Sequence, residues 1–243
     1  MKVTIVTGGS RGIGAATCHR LAAAGHAVAV GYRSDAAKAA AVVDRITGNG
    51  GQAVAIPVET ADAAQVVKLF DEAYAQLGAV TGLVNNAGVG SRIGRFVDLD
   101  DEDLRRVVEV NVVGAIFCAR EAARRMTAGG AIVNVSSAAA TLGSPNEYPH
   151  YAASKAAIDA LTLGLSKELG PDGIRVNTVQ PGVIYTDFHG TQSGEPGRAD
   201  RVGPSAPLGR AGQPDEVAAA ISWLLSDDAS YVTGATIRVA GGR

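Results

Sequence analysis

The chain has 243 residues, a net charge of −2, and 47% hydrophobic against 19% charged residues, enough apolar material for one large core. No basic run stands out, and no apolar stretch approaches the roughly 18 residues of a membrane helix. Binding of nucleic acid through bulk charge and insertion into a membrane are therefore not expected. The sequence enters a strand at once, without the charged and then apolar prelude of a signal peptide, which predicts a soluble, cytoplasmic protein. Cys18 and Cys118 sit in helix-forming surroundings without C-x-x-C spacing or a histidine pair, so they read as buried inert thiols and no metal site is expected.

Val3, Ile5 and Val6 form a β-branched apolar run that stops at glycines before a helix-favouring segment, Ala15 to Ala24. The link is Gly8-x-x-x-Gly12-x-Gly14, a spacing different from G-x-G-x-x-G. A turn this rich in glycine brings bare backbone against a ligand, and the following helix aims unpaired N–H groups and its positive dipole end at the same place. A pyrophosphate fits there; an ordinary strand-to-helix turn is the alternative.

Ala27 to Tyr32 reads as the second strand and Ala36 to Ile46 as a helix, followed by a Gly48-Asn49-Gly50-Gly51 break. A strand over Gln52 to Val58, a helix over Ala61 to Leu77 and a strand over Gly82 to Asn85 come next, the last running into Asn86-Ala87-Gly88. Asp101 to Met126 reads as one long helix, Ala131 to Val135 as a strand, Tyr151 to Leu169 as a helix and Ile174 to Val179 as a strand ending at Gln180-Pro181-Gly182. Glycine, proline and polar residues dominate Asp187 to Gln213, ahead of a last helix (Pro214 to Leu225) and strand (Ala235 to Val239). Seven strands trading places with helices predict an α/β fold: a doubly wound, Rossmann-type parallel sheet with helices on both faces, in a single domain over 1–243.

Ligands of such sheets sit beyond the carboxyl ends of the strands, at the switch point of strand order. The segments to read are thus Gly8 to Gly14, Tyr32 to Ser34, Glu59 and Thr60, Asn85 to Gly88, Ser136 and Ser137, and Gln180 to Thr186. Tyr151 and Lys155 stand four apart at the start of a helix, on one face and within mutual reach. An ammonium beside a phenol favours the phenolate and pulls its pKa toward neutrality, so the pair suits general acid–base work; a plain surface pair is the alternative. Ser136 and Ser137 end an apolar strand, where a hydroxyl either holds a substrate carbonyl or closes the strand on local backbone. Asn111 lies within Val107-Val108-Glu109-Val110-Asn111-Val112-Val113, where a buried amide needs partners; a structural tie between sheet and helix is the alternative.

Taken together and in order, these motifs resemble the short-chain dehydrogenase/reductase family over essentially the whole chain. Thr7-Gly8-x-x-x-Gly12-x-Gly14 resembles its cofactor loop, Asn85-Asn86-Ala87-Gly88 its motif after the fourth strand, and Pro181-Gly182 with Thr186 its Pro-Gly-x-x-x-Thr segment. Asn111, Ser137, Tyr151 and Lys155 fall where the family keeps its catalytic tetrad. The resemblance implies hydride transfer between a nicotinamide cofactor and an alcohol/carbonyl pair. Tyr151 would exchange the proton, Lys155 would depress the tyrosine's pKa and hold the nicotinamide ribose, Ser137 would polarise the carbonyl, and Asn111 would anchor a water in a relay through Lys155. Cofactor contacts would come from Gly8, Ser10, Arg11, Gly12, Ile13, Gly14, Tyr32, Arg33, Ser34, Glu59, Thr60, Asn86, Ala87, Gly88, Pro181, Gly182, Ile184 and Thr186, besides Tyr151 and Lys155.

Fourteen positions separate Ser137 from Tyr151, one more than the family pattern, which places a one-residue insertion in Asn146 to His150; His150 itself reads as a loop residue. A carboxylate at the end of the second strand selects NAD, whereas cations select the phosphate of NADP. Arg33 and Arg11 favour NADP(H) over NAD(H), with Asp35 as the counter-argument should the strand end shift by one or more residues. Two departures stand out: Glu59 where the family has an aspartate near adenine, and Ala240 where it has an aspartate near the end.

The segment 187–203 has the composition of a mobile substrate lid, or of a loop without a role. If it closes, Val183, Ile184, Phe188 and His189 join Arg92, Ile93, Leu142 and Tyr148 as pocket walls, and Arg92 and Arg95 would meet an acidic substrate. The expected activity is that of an NADP(H)-dependent carbonyl reductase or alcohol dehydrogenase on a small molecule. Reduction of 3-oxoacyl groups on acyl carrier protein and oxidation of sugars or polyols of the glucose type remain open, as does a non-catalytic NADP-binding sensor. The resemblance also implies a homotetramer built through the long helix and the Tyr151 helix.

Overall fold

The computed structural model describes residues 1–243. In chain order the strands are β1 (Val3–Val6), β2 (Ala27–Tyr32), β3 (Ala53–Pro57), β4 (Val80–Asn85), β5 (Ala131–Val135), β6 (Arg175–Pro181) and β7 (Thr236–Val239). The helices between them are α1 (Gly12–Ala23), α2 (Ala36–Gly48), α3 (Ala63–Leu77), α4 (Asp101–Val108), α5 (Ala115–Arg125), α6 (Ala139–Leu142), α7 (Pro149–Glu168), α8 (Phe188–Thr191), α9 (Arg198–Val202) and α10 (Pro214–Leu225). All neighbouring strands run parallel in the order β3-β2-β1-β4-β5-β6-β7. The order reverses between β1 and β4, so the crevice opens where the Gly8 loop and the Asn86 turn leave the sheet.

Alternation along each strand divides the interior into two layers. Val3, Ile5, Ala27, Ala29 and Ile132 face Leu69 and Phe70 of α3 and Cys118 and Ala122 of α5. Val6, Val28, Val30, Val133 and Val135 face Cys18 and Leu21 of α1, Val42 and Ile46 of α2, and Val217, Ile221 and Leu224 of α10. A sheet covered on both faces explains why β1 and β5 are buried along their whole length and are apolar except at Thr4 and Asn134. Both thiols are buried, and burial pushes Cys118 up to about 12, as befits inert side chains. No helix is long and apolar enough to cross a membrane, and no cluster of metal-ligating side chains is present.

The structure departs from the sequence expectations in three places. The long helix is interrupted: Glu109–Gly114 form a π-helical turn between α4 and α5. Three valines disfavour the regular helix there, and the amide of Asn111 holds the turn by exchanging hydrogen bonds with Val89, Oδ1 accepting from its N–H at 2.8 Å and Nδ2 donating to its C=O at 2.9 Å. β6 carries on through Gln180 and Pro181 because β7 pairs with both. Finally, 187–203 contains α8 and α9 rather than unbroken loop.

One polar exception to the apolar interior fixes α7 on the sheet. Asn134 of β5 accepts from Asn85 Nδ2 at 3.0 Å and donates to Thr162 Oγ1 at 2.8 Å, and Thr178 of β6 donates to the same hydroxyl at 2.6 Å. Every member is buried and satisfied. Asn134→Ala removes one partner each from Asn85 and Thr162, which keep their bonds to Ala115, Ile158 and Thr178, and should lower the unfolding free energy by about 1–3 kcal/mol in urea titration; a variant as stable as the parent would show that the ladder is replaceable.

Candidate active site

A crevice of about 670 Å³ runs along the carboxyl ends of β1, β2, β4, β5 and β6, and all twenty residues expected to hold a dinucleotide line it. Its floor is the Gly8–Gly14 loop. A Cβ on Gly14 would lie 2.2 Å from the Gly8 carbonyl oxygen, so the loop closes only around a bare backbone. Asn86 Nδ2 donates to the carbonyls of Thr7 at 2.9 Å and Gly8 at 3.1 Å, while Thr7 Oγ1 accepts from the N–H groups of Asn86 and Ala87. The amide of Asn86 is thus spent on shaping the loop. α1 starts at Gly12 with no side chain capping it and no acidic residue in its first turn, which leaves its N–H groups and positive dipole for an anion.

At the end of β2, Tyr32, Arg33, Ser34 and Asp35 share the crevice wall. Asp35 caps α2, accepting from the Lys38 N–H at 3.0 Å, and its other oxygen lies 3.8 Å from Lys38 Nζ. That carboxylate is committed to its own helix, so the shift of strand end that would favour NAD is not seen. Arg33 is exposed, its guanidinium 3.7 Å from the Glu59 carboxylate, so the two side chains form one polar pair at the mouth.

The Tyr151–Lys155 pair sits deeper, on the first two turns of α7. Lys155 is 4% exposed; its Nζ donates to the Val135 carbonyl at 2.9 Å and lies 5.8 Å from the centre of the Tyr151 ring. Burial pushes the ammonium down to about 8, with Asp159 acting the other way. The tyrosine departs from expectation. Burial raises its pKa, the phenol of Tyr148 adds to this, and the Ser137 hydroxyl acts in the opposite sense. A cation at this distance does not outweigh desolvation of the phenolate, and Tyr151 remains a neutral phenol.

The two serines divide their work. Ser136 is buried and donates to the Lys155 carbonyl at 2.9 Å, holding the helix to β5, whereas Ser137 lines the crevice beside Tyr151 and accepts from the Ala139 N–H at 3.1 Å. Asn111 lies behind the wall, 1% exposed, with its amide spent on Val89 and on Ser154 Oγ at 3.1 Å. Gly88 fills the gap: a Cβ there would stand 3.3 Å from both Asn111 Oδ1 and Lys155 Nζ.

The far end of the crevice is closed by the 187–203 segment. Phe188 packs 6.0 Å from the Tyr151 ring, and Tyr148 meets Tyr151 edge-on at 5.2 Å. Leu142, Tyr148, Val183, Ile184, Phe188 and His189 line the space as expected, but Arg92, Ile93 and Arg95 do not. His150 is not a loop residue either: it lies in the first turn of α7 with Nε2 2.7 Å from Ser91 Oγ. Glu147, Gln192, Arg198 and Arg243 line the crevice without having been singled out from the sequence. Arg198 is 3% exposed and forms two bonds with the Glu147 carboxylate, at 2.8 and 2.6 Å. A charge inside a polar segment rich in glycine carries no signal that distinguishes a buried partner from a solvated one.

The comparisons with known proteins agree with this geometry. A family model described as enoyl-(acyl carrier protein) reductase matches residues 8–243. The chain is similar to an uncharacterised oxidoreductase, YgfF, of Escherichia coli (strain K12), 50% identical over 248 residues and covering the whole of both chains. It is also similar to L-rhamnose 1-dehydrogenase (NAD(P)(+)) of Azotobacter vinelandii, 40% identical, covering 99% of this chain and 96% of that one. Among solved structures, a short chain dehydrogenase from Burkholderia cenocepacia J2315 in complex with NADP matches with a TM-score of 0.92 and 38% identity, over 99% of this chain and 97% of that chain.

The depressed ammonium can be read directly. Lysine-selective carbon-13 NMR should show one residue, absent from K155R, titrating near pH 8, well below the value of about 10.4 for an exposed lysine; a Lys155 signal titrating with the bulk would contradict its burial.

Proposed function

The chain belongs to the short-chain dehydrogenase/reductase family of oxidoreductases, and on that premise we propose that it moves a hydride between NADP(H) and a small alcohol/carbonyl substrate, with Tyr151 exchanging the proton. The observation that carries this reading is the continuity of one crevice from the Gly8–Gly14 loop to Ser137, Tyr151 and Lys155. The bare-backbone floor at Gly14 and the uncapped start of α1 suit a pyrophosphate. When bound, the nicotinamide supplies or receives the hydride.

The remaining work belongs to side chains. Ser137 donates to the carbonyl oxygen and orients it. Tyr151, kept as a phenol by burial, gives its proton to that oxygen during reduction and takes one from the alcohol during oxidation. Lys155 holds the nicotinamide ribose. The expected relay through Asn111 is not drawn through its amide, whose bonds are all internal; Asn111 instead fixes Val89 and thereby Gly88 against Lys155.

NADP(H) is favoured over NAD(H) by Arg33 and Arg11 at the crevice wall and by Asp35 being occupied as a helix cap. The NADP held by the Burkholderia relative supports the same choice. The 187–203 segment acts as the substrate lid, and a homotetramer forms through the α4–α5 stretch and α7, where Val108, Ile116 and Leu163 stand exposed. Carrier-bound 3-oxoacyl groups and sugars would meet the same proton donor, and relatives carry names of each kind, a 3-oxoacyl-[acyl-carrier-protein] reductase and L-rhamnose 1-dehydrogenase. A screen with NADPH and NADP over ketones, quinones, sugars and 3-oxoacyl thioesters decides the substrate.

Tyr151→Phe should lower kcat by at least about 10²-fold while NADPH binding, followed by nicotinamide fluorescence, stays near that of the parent; retained turnover on a genuine substrate would refute the assignment of the acid. Arg33→Ala should weaken NADPH by about tenfold and leave NADH nearly unaffected, with equal losses for the two cofactors as the contrary result.

A further inference from the structure

Tyr151, Lys155 and Asp159 follow one another at four-residue steps, so three ionisable side chains share one stripe of α7. The first two have roles above; Asp159 has none. Its Oδ2 accepts from Gln180 Nε2 at 2.8 Å, and Gln180 Oε1 accepts from Arg238 Nε and Nη2, each at 3.2 Å. Its Oδ1 is buried without a partner. A tie between α7 and β6 needs one acceptor, which an asparagine supplies equally well; what the carboxylate adds is charge. Burying an unpaired carboxylate oxygen is also costly, and a purely structural role gives nothing to set against that cost.

Charges around Lys155 are few. α7 offers Tyr151 and Asp159, the π turn the neutral amide of Asn111, and β5 the Val135 carbonyl with the Ser136 and Ser137 hydroxyls. β6 offers Gln180, with Arg238 of β7 behind it. α6 has no ionisable residue, and Asp103 and Arg106 of α4 pair with each other, Arg106 reaching Gly90 and Gln192. Asp159 is the acidic group that opposes the effect of burial on Lys155. Its own carboxyl is pushed up by burial and drawn back by Ser136, Gln180, Lys155 and Arg238.

We infer that Asp159 is a positioning residue, its half-buried carboxylate being the counter-charge that keeps Lys155 an ammonium in the cofactor crevice. The consequence for turnover rests on the hydride-transfer reading above; the consequence for Lys155 does not.

Asp159→Asn keeps the shape and the acceptor for Gln180 and removes the charge. In this variant the Lys155 carbon-13 signal titrates about one pH unit lower than in the parent, and the alkaline limb of kcat for NADPH-dependent reduction moves down with it. Asp159→Glu restores much of the parent profile. Asp159→Ser gives the same displacement if the asparagine variant does not fold. Superimposable Lys155 titrations in parent and D159N overturn the inference, and a shifted titration with an unmoved limb overturns its link to turnover. Failure of the hydride-transfer reading looks different: turnover survives Y151F, or the parent turns over nothing with NADPH, while D159N still displaces the Lys155 titration and so upholds the counter-charge.

Discussion

The structure is organised around the burial of one ammonium group. Removing a charged amine from water costs several kcal/mol even after relaxation, and Lys155, 4% exposed, meets that cost with neighbours from four elements. Val135 gives a carbonyl from the end of β5, Asp159 gives a charge from the next turn of α7, and Gly88 and Asn111 bring the β4 turn and the π segment close to Nζ. The contacts with Val135, Gly88 and Asn111 are lost if α7 shifts along the sheet, whereas Asp159 moves with it. The polar ladder of Asn85, Asn134, Thr162 and Thr178 opposes such a shift from further along the same helix. The crevice is therefore rigid where the cation sits, although its outer wall at Arg33 is exposed.

That rigidity bears on the tyrosine. A phenol kept neutral by its surroundings is ready to give a proton and reluctant to lose one in the absence of an acceptor. Its environment is made by aromatic neighbours, Tyr148 edge-on and Phe188 tilted, which exclude water more than they supply charge. Lys155 and Tyr151 are thus displaced from their ordinary values by the same cause, burial, and in opposite directions, because desolvation always penalises the charged form. The pair reads as neutral phenol beside ammonium.

The legibility of the sequence follows from how local each feature is. The alternation of strands and helices, the glycine loop and the four-residue step from Tyr151 to Lys155 are short-range patterns, and the fold and all twenty expected crevice residues were readable from them. The π turn was not, because its cause is the backbone of Val89, which no pattern around Asn111 announces. The direction of the tyrosine's displacement was misread for a related reason: spacing gives the neighbour's charge, whereas desolvation depends on side chains from Tyr148 and Phe188 that only the tertiary structure brings together. Asp35 could be weighed for and against from the sequence, and the structure adds that its carboxylate caps α2 through the Lys38 N–H.

The stretch between α6 and α7 shapes one end of the crevice. Ser144 and Asn146 adopt positive φ, at 45° and 59°, which lets the chain between α6 and α7 double back on itself. The turn delivers Glu147 beneath the 187–203 segment, where it meets Arg198 in a two-bonded ion pair while the same guanidinium lies 5.4 Å from the Tyr148 ring. A bidentate, buried pair of this kind is costly to break because either partner alone is a stranded charge. Glu195 shares both Arg198 and Arg201, so two carboxylates face two guanidinium groups at this junction. The 187–203 segment is thereby fastened to the turn from which α7, with Tyr151 and Lys155, begins.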